Sequence, residues 1–150
     1  MIAALIALLL MQESPPRADR PMPLDAVRGG VCAGPAWVVL EPGGRAMIQH
    51  LGNGGTLFSF VGRRTGWWYL YWGPPTPAPN AEPGFRLGDL EFRHVVLEES
   101  VQTYVALMPD GSQIRIAGAP YTGGRSDAAF AARIHFGAGR PAACDQPRPN

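Results

Sequence analysis

The chain has 150 residues and a formal net charge of +1, with 19 Gly and 16 Pro. That length supports one domain with a real core, because a chain of this size buries roughly 70% of the surface its unfolded form exposes, and the Gly and Pro content favours turns over long helices. The 13 basic residues are all Arg and are spread along the chain; nothing resembles a nucleic-acid footprint, and without Lys there can be no Schiff-base chemistry, pyridoxal attachment, Walker phosphate loop or Ser-Lys catalysis.

Residues 1–13 read as a signal-like leader. Ile2 to Met11 form an apolar run that matches a signal-peptide core and falls far short of the about 20 residues needed to span a bilayer, so no membrane span is expected. No Arg precedes the run and no small-x-small site follows it before Pro15-Pro16, which leaves a frayed apolar N-terminus on a cytosolic protein as the alternative. Export implies a periplasmic or secreted protein. Residues 14–30, rich in Pro, Arg and Asp, read as a tether, residues 31–146 as a single β-rich domain, and residues 147–150 as a tail.

Cys32 and Cys144 stand at the two ends of that domain. In an oxidising compartment they suit a disulfide staple, worth about 4–5 kcal/mol in the chain-entropy model for a loop this long. The alternative is two buried free thiols. Neither Cys has a second Cys or a His at zinc-ligand spacing.

Within the domain, Trp37 to Leu40, a Pro42-Gly43-Gly44 turn and Ala46 to Ile48 read as strand, turn, strand. Gly52-Asn53-Gly54-Gly55 contains an Asn-Gly hairpin signal and leads into a strand over Thr56 to Val61. A turn at 62–66 precedes the fourth strand, Trp67 to Trp72. Residues 73–84, GPPTPAPNAEPG, carry five prolines that cannot donate backbone hydrogen bonds, so an extended surface loop is expected. Leu90 to Glu98, Val101 to Met108 and Gln113 to Ala117 complete about seven strands in meander order. After them Ser126 can cap a helix, Asp127 favours its positive end, Phe130 and Ile134 lie one turn apart, and Gly137 supplies a stop. The pattern predicts a C-terminal helix of about ten residues, with a strand over Ala132 to Phe136 as the alternative. The fold class is therefore mainly β, an antiparallel meander curled as a barrel or packed as a sandwich, with one helix against it.

Enzyme signatures are sparse. There is no G-x-S-x-G, H-E-x-x-H, C-x-x-C or dinucleotide fingerprint, and no cofactor is implied. Gly52 to Gly55 resembles a phosphate loop only superficially, because it enters a strand and not a helix. His94 and Glu98 share a strand face about 13 Å apart, too far for a direct dyad or a shared metal. His50 and His135 come from other elements.

The most distinctive segment is Trp67-Trp68-Tyr69-Leu70-Tyr71-Trp72. As a strand it places Trp67, Tyr69 and Tyr71 on one face and Trp68, Leu70 and Trp72 on the other. An exposed row of three rings about 6.6 Å apart would make a platform for a glycan, peptide or envelope protein; if both faces are covered, by the core and by the proline loop or helix, the rings are packing alone. Thr65-Gly66-Trp67-Trp68-Tyr69 also resembles the [Ser/Thr]-Gly-x-x-Tyr loop of periplasmic C-type lysozyme inhibitors. That resemblance, over five residues, implies a small β-barrel that inserts the loop into an enzyme's cleft.

The leading expectation is a non-enzymatic envelope protein that binds through Trp67, Trp68, Tyr69, Tyr71 and Trp72 together with the proline loop. A carrier of a small apolar ligand requires instead that the meander close around a cavity. An envelope hydrolase requires His50, His94 or His135 to converge with a carboxylate such as Asp89 or Glu91.

Overall fold

The computed structural model describes residues 20–26, 29–98, 101–118 and 131–145. Eleven strands are found among them: β1 (Met22–Leu24), β2 (Gly30–Ala33), β3 (Ala36–Val39), β4 (Arg45–His50), β5 (Thr56–Gly62), β6 (Gly66–Gly73), β7 (Glu82–Leu87), β8 (Leu90–Glu98), β9 (Val101–Leu107), β10 (Gln113–Gly118) and β11 (Ile134–Phe136). The large sheet has the order β1-β4-β5-β6-β10-β9-β8-β7, and a small sheet has the order β11-β3-β2. Every pairing is antiparallel.

The hairpins expected at Asn53-Gly54 and Pro109-Asp110-Gly111 form where turn chemistry demands them, whereas the strands flanking Pro42-Gly43-Gly44 do not pair: β3 joins β2 and β11 in the small sheet, and β4 joins β1 and β5 in the large one. Around Asn53 the side-chain Oδ1 accepts the Gly55 N–H at 2.9 Å and the Leu51 N–H donates to the Gly55 carbonyl at 2.8 Å, closing β4 onto β5. At the β9–β10 turn Asp110 Oδ1 accepts both the N–H and the hydroxyl of Ser112. Short polar side chains thus replace the backbone partners that the turn removes.

The meander order expected from the sequence holds only in two pieces. β4-β5-β6 and β7-β8-β9-β10 are each consecutive, but β6 pairs with β10 and not with the next strand in the chain. The connection from β6 therefore travels to the far edge of the sheet before the chain returns. Residues 74–81 make that crossing: eight extended residues reach about 26 Å, and four strand spacings need only about 19 Å. Four prolines suit this segment to a path outside any strand ladder, while the fifth, Pro83, lies in the edge strand β7, which the chain joins at Glu82.

The two sheets pack face to face, without a closed barrel. Val31, Ala33, Ala36, Val38 and Ile134 of the small sheet meet Ile48, Phe58, Phe60, Trp68, Leu70, Phe92, Ile114 and Ile116 of the large one in a single buried cluster. The small Ala33 and Ala36 bring the sheets close, and Phe60 and Trp68, direct cross-strand partners, stack with centroids 4.2 Å apart. Burial of about ten large side chains, each worth roughly 1.5–3 kcal/mol, is the main force holding the sheets together.

Two expectations need correction. The C-terminal half of the expected helix is a strand: Ile134 pairs with Val38 and Phe136 with Ala36, while the Val39 N–H reaches the Arg133 carbonyl at 2.8 Å. An open edge on β3 takes the β-branched Ile134 into the core, which outweighs the local helical spacing; residues 126–130 lie outside the described residues. Within the expected helix Ala131 is α-helical, and the other helical elements among the described residues are short 3-10 turns at Gly137–Gly139 and Ala142–Asp145. Second, Met22–Leu24, inside the stretch read as a tether, adds an edge strand to β4.

Cys32 and Cys144 form the expected disulfide, with Cα atoms 5.3 Å apart across 112 residues of sequence. The bond ties β2 to the final 3-10 turn. Arg140 reinforces it by donating to the Pro35 carbonyl at 2.8 Å and the Cys144 carbonyl at 3.2 Å, and by pairing with Asp145 at 3.0 Å.

Candidate functional site

β6 divides its aromatic residues between two faces, as its alternation requires. Trp68 and Leu70 are buried against the small sheet. Trp72, on the same face, is half-buried, and its indole N–H donates to Ser112 Oγ at 3.1 Å. Trp68 belongs to the core, whereas Trp72 packs against it and lines the hollow at one end between the sheets, away from the Trp67 face.

On the opposite face the three rings form a gradient of exposure. Trp67 is 45% exposed, Tyr69 is half-buried, and Tyr71 is 7% exposed. Trp67 and Tyr69 lie with centroids 5.4 Å apart, tilted by 55°. Their cross-strand neighbours explain the gradient. Val61, itself exposed, stands beside Trp67; Ser59 and Ala117, both small, flank Tyr69; Leu57 and Arg115 flank Tyr71.

Tyr71 is taken out of the row by hydrogen bonds. Its hydroxyl donates to the Pro74 carbonyl at 2.9 Å and accepts from Asn53 Nδ2 at 3.2 Å. Gly55 makes this possible, because a Cβ there would lie 2.4 Å from the Tyr71 ring. One ring of the expected three is thus a pillar joining the β4–β5 turn to the proline segment.

The proline segment lies across the same outer face as a strap. Gln113 grips Thr76 with three hydrogen bonds: its Oε1 accepts the N–H at 3.3 Å and the hydroxyl at 3.1 Å, and its Nε2 donates to the carbonyl at 3.0 Å. Arg115 Nη2 donates to Thr76 Oγ1 at 2.7 Å and to the Pro77 carbonyl at 3.3 Å, and Arg93 Nη2 donates to the Ala81 carbonyl at 2.9 Å. Three side chains from two strands of the sheet therefore hold the strap down.

Beside the strap, Asn53, Leu57, Trp67, Tyr69, Tyr71, Thr76 and Arg115 enclose a groove of about 320 Å³. Its floor is aromatic and one wall carries the Arg115 guanidinium. Arg115 was not singled out by the sequence; its place directly across from Tyr71 follows from the β6–β10 pairing, which local patterns do not encode.

Two larger hollows lie elsewhere among the described residues. One of about 550 Å³ runs under the far part of the strap, between Pro75, Ala78 and Ala81 above and Leu90, Arg93 and Val105 below. The larger, about 590 Å³, opens at one end between the sheets and mixes Ile48, Phe58 and Trp72 with Asp25, His50 and Thr56. A carrier would need the sheet closed around such a space. Here the sheet is open, and Phe58, Phe60, Leu70, Ile114 and Ile116 fill the room between the layers.

The residues on which a hydrolase would depend stay apart. His50 hydrogen-bonds Thr56 at the end of β4, His94 lies against Tyr104 on β8, and His135 lies against Trp37 on β11. Asp89 and Glu91 line the hollow under the strap. Among the described residues no three His, Cys, Asp or Glu side chains gather as metal ligands. The Thr65-Gly66-Trp67-Trp68-Tyr69 segment does not project as a loop: Thr65 is buried, its N–H donating to Glu41 Oε2 at 3.2 Å, and residues 66–69 lie within β6.

Comparison with protein-family models, curated proteins and solved structures finds no match to this chain.

Proposed function

We propose that this protein is an exported, non-enzymatic binding module that holds a glycan on the outer face of β6. The observation that carries the reading is Trp67, a 45% exposed indole beside Tyr69 in a groove bounded by the strap. Leaving a large aromatic surface in water forgoes burial worth roughly 1.5–3 kcal/mol, and an exposed aromatic wall suits the apolar face of a sugar ring. At about 320 Å³ the groove is at the small end of ligand pockets, which suits a short saccharide. A protein partner would require about 800 Å² of contact surface, whereas among the described residues the exposed large apolar side chains of this face near the groove are Trp67 and Val61, with Met47 two strands away from Tyr69.

Export rests on the apolar leader and on the Cys32–Cys144 bond, which persists in oxidising compartments. The test is retention on immobilised oligosaccharides, comparing the wild type with Trp67→Ala. Loss of one aromatic anchor should weaken binding about tenfold or more. Equal retention of the two proteins, or retention of neither, would contradict the reading.

A further inference from the structure

We infer that the glycan bound at this groove is an acidic one, whose carboxylate is read by Arg115. The inference rests on the reading that the Trp67 face binds sugar and adds the charge that the sugar must carry.

Among the described residues no acid answers the positive charge of Arg115: the single ion pair is Arg140–Asp145, and no carboxylate of those residues lies within 4 Å of Arg115. Its Nε is buried and has no hydrogen-bond acceptor. Two acids of the same side of the sheet, Asp89 and Glu91, line the separate hollow under the strap. A guanidinium held partly out of water without a counter-ion is costly, and a bound carboxylate would offset that cost.

The group is also held in place before any ligand arrives. Nη2 is fixed by Thr76 Oγ1 and the Pro77 carbonyl, both neutral acceptors on the strap. The two Nη2 hydrogens are thereby used and the plane of the guanidinium is fixed with its charge unneutralised, which leaves Nη1 to donate a charge-assisted hydrogen bond to a ligand carboxylate. The same wall stands directly across the β6–β10 pairing from Tyr71, with Tyr69 and Trp67 next along the strand. A ring stacked on Trp67 and Tyr69 would place a substituent acid towards Arg115. Neutral sugars would use the aromatic floor alone.

Calorimetric titration of the full chain with galacturonate and alginate oligomers, each beside its methyl ester, separates the two claims. The wild type should bind the acids at least tenfold more tightly than the esters, and added salt should erase much of the difference. Arg115→Gln should bind acid and ester alike, near the wild-type affinity for the ester; Trp67→Ala should weaken both. Equal wild-type affinity for acid and ester, with Trp67→Ala weakening both, overturns the acidic preference and leaves the sugar-binding reading standing. Wild-type binding to neither acid nor ester overturns both. Should Arg115→Gln fail to fold, the wild-type comparison of acid with ester, and its salt dependence, still decides the matter.

Discussion

Glu41 is the buried acid of the described structure, 6% exposed at the junction of β3 and β4. Its carboxylate accepts the N–H groups of Arg64 and Thr65 at 2.9–3.2 Å, and a Cβ on Gly62 would collide with it, so the β5–β6 turn is wrapped around this one side chain. Burial pushes its pKa up, but the backbone N–H groups and the charge of Arg133 more than offset this, and the net shift is below the ordinary 4.5. The stabilisation is therefore complete above that ordinary value and is lost as pH falls through the lowered folded value. Glu41→Gln should cost about 1.5–3 kcal/mol at neutral pH, and its melting temperature should converge on that of the wild type as the solution is acidified. A gap that stayed constant with pH would show that the charge is not what holds the turn. Nothing in the sequence marks Glu41, which stands before a Pro-Gly-Gly turn like any solvated acid. The sorting of Trp67 from Trp68 was legible, because strand alternation alone dictates it; the withdrawal of Tyr71 was not, because Asn53 and Pro74 reach it from two different turns.

At the scale of elements the strap is the informative part. Five prolines made its surface path readable, whereas its crossing of the sheet depends on which strand edges are free, a property of the whole assembly. The same crossing explains why the strands do not alternate cleanly: in β10, Gln113, Ile114, Ile116, Ala117 and Gly118 are buried, and both faces of that strand are largely covered. Gln113 is the clasp, 5% exposed and bonded three times to Thr76. Gln113→Ala should destabilise the fold by about 1–3 kcal/mol. Its local signature is faster exchange of the Thr76 amide, measured by NMR, with β4 and β5 amides unaffected. Uniform acceleration across all strands would mean that the strap is part of the cooperative core and not a clasped cover. The helix expected near the C-terminus gives way to a strand from Ile134 onward for a related reason. The one-turn spacing of Phe130 and Ile134 is a local signal, and the vacant edge of β3 is a non-local one that recruits Ile134 into a ladder.

For the molecule as a whole, a mainly antiparallel β fold and the Cys32–Cys144 bond were both legible, the first from turn chemistry and the second from placement at the two ends of the domain. The division into two sheets was not, since β2, β3 and β11 are too short to announce a separate layer. The disulfide closes that small layer against the end of the chain. Replacing Cys32 and Cys144 with Ser should lower stability by about 4–5 kcal/mol, seen as a shift of the denaturant midpoint equal to that produced by reductant on the wild type. Unequal shifts would indicate a packing defect at one Ser in addition to the lost constraint.

The central claim, that the outer face of β6 is the binding face, is tested most directly by titrating the four indole N–H resonances with an acidic oligosaccharide. The Trp67 signal should move with the Arg115 Nε–H, while the buried Trp68 stays in place. Shifts confined to Trp72, which lines the hollow between the sheets, or no shift at Trp67 under saturating ligand, would contradict the account.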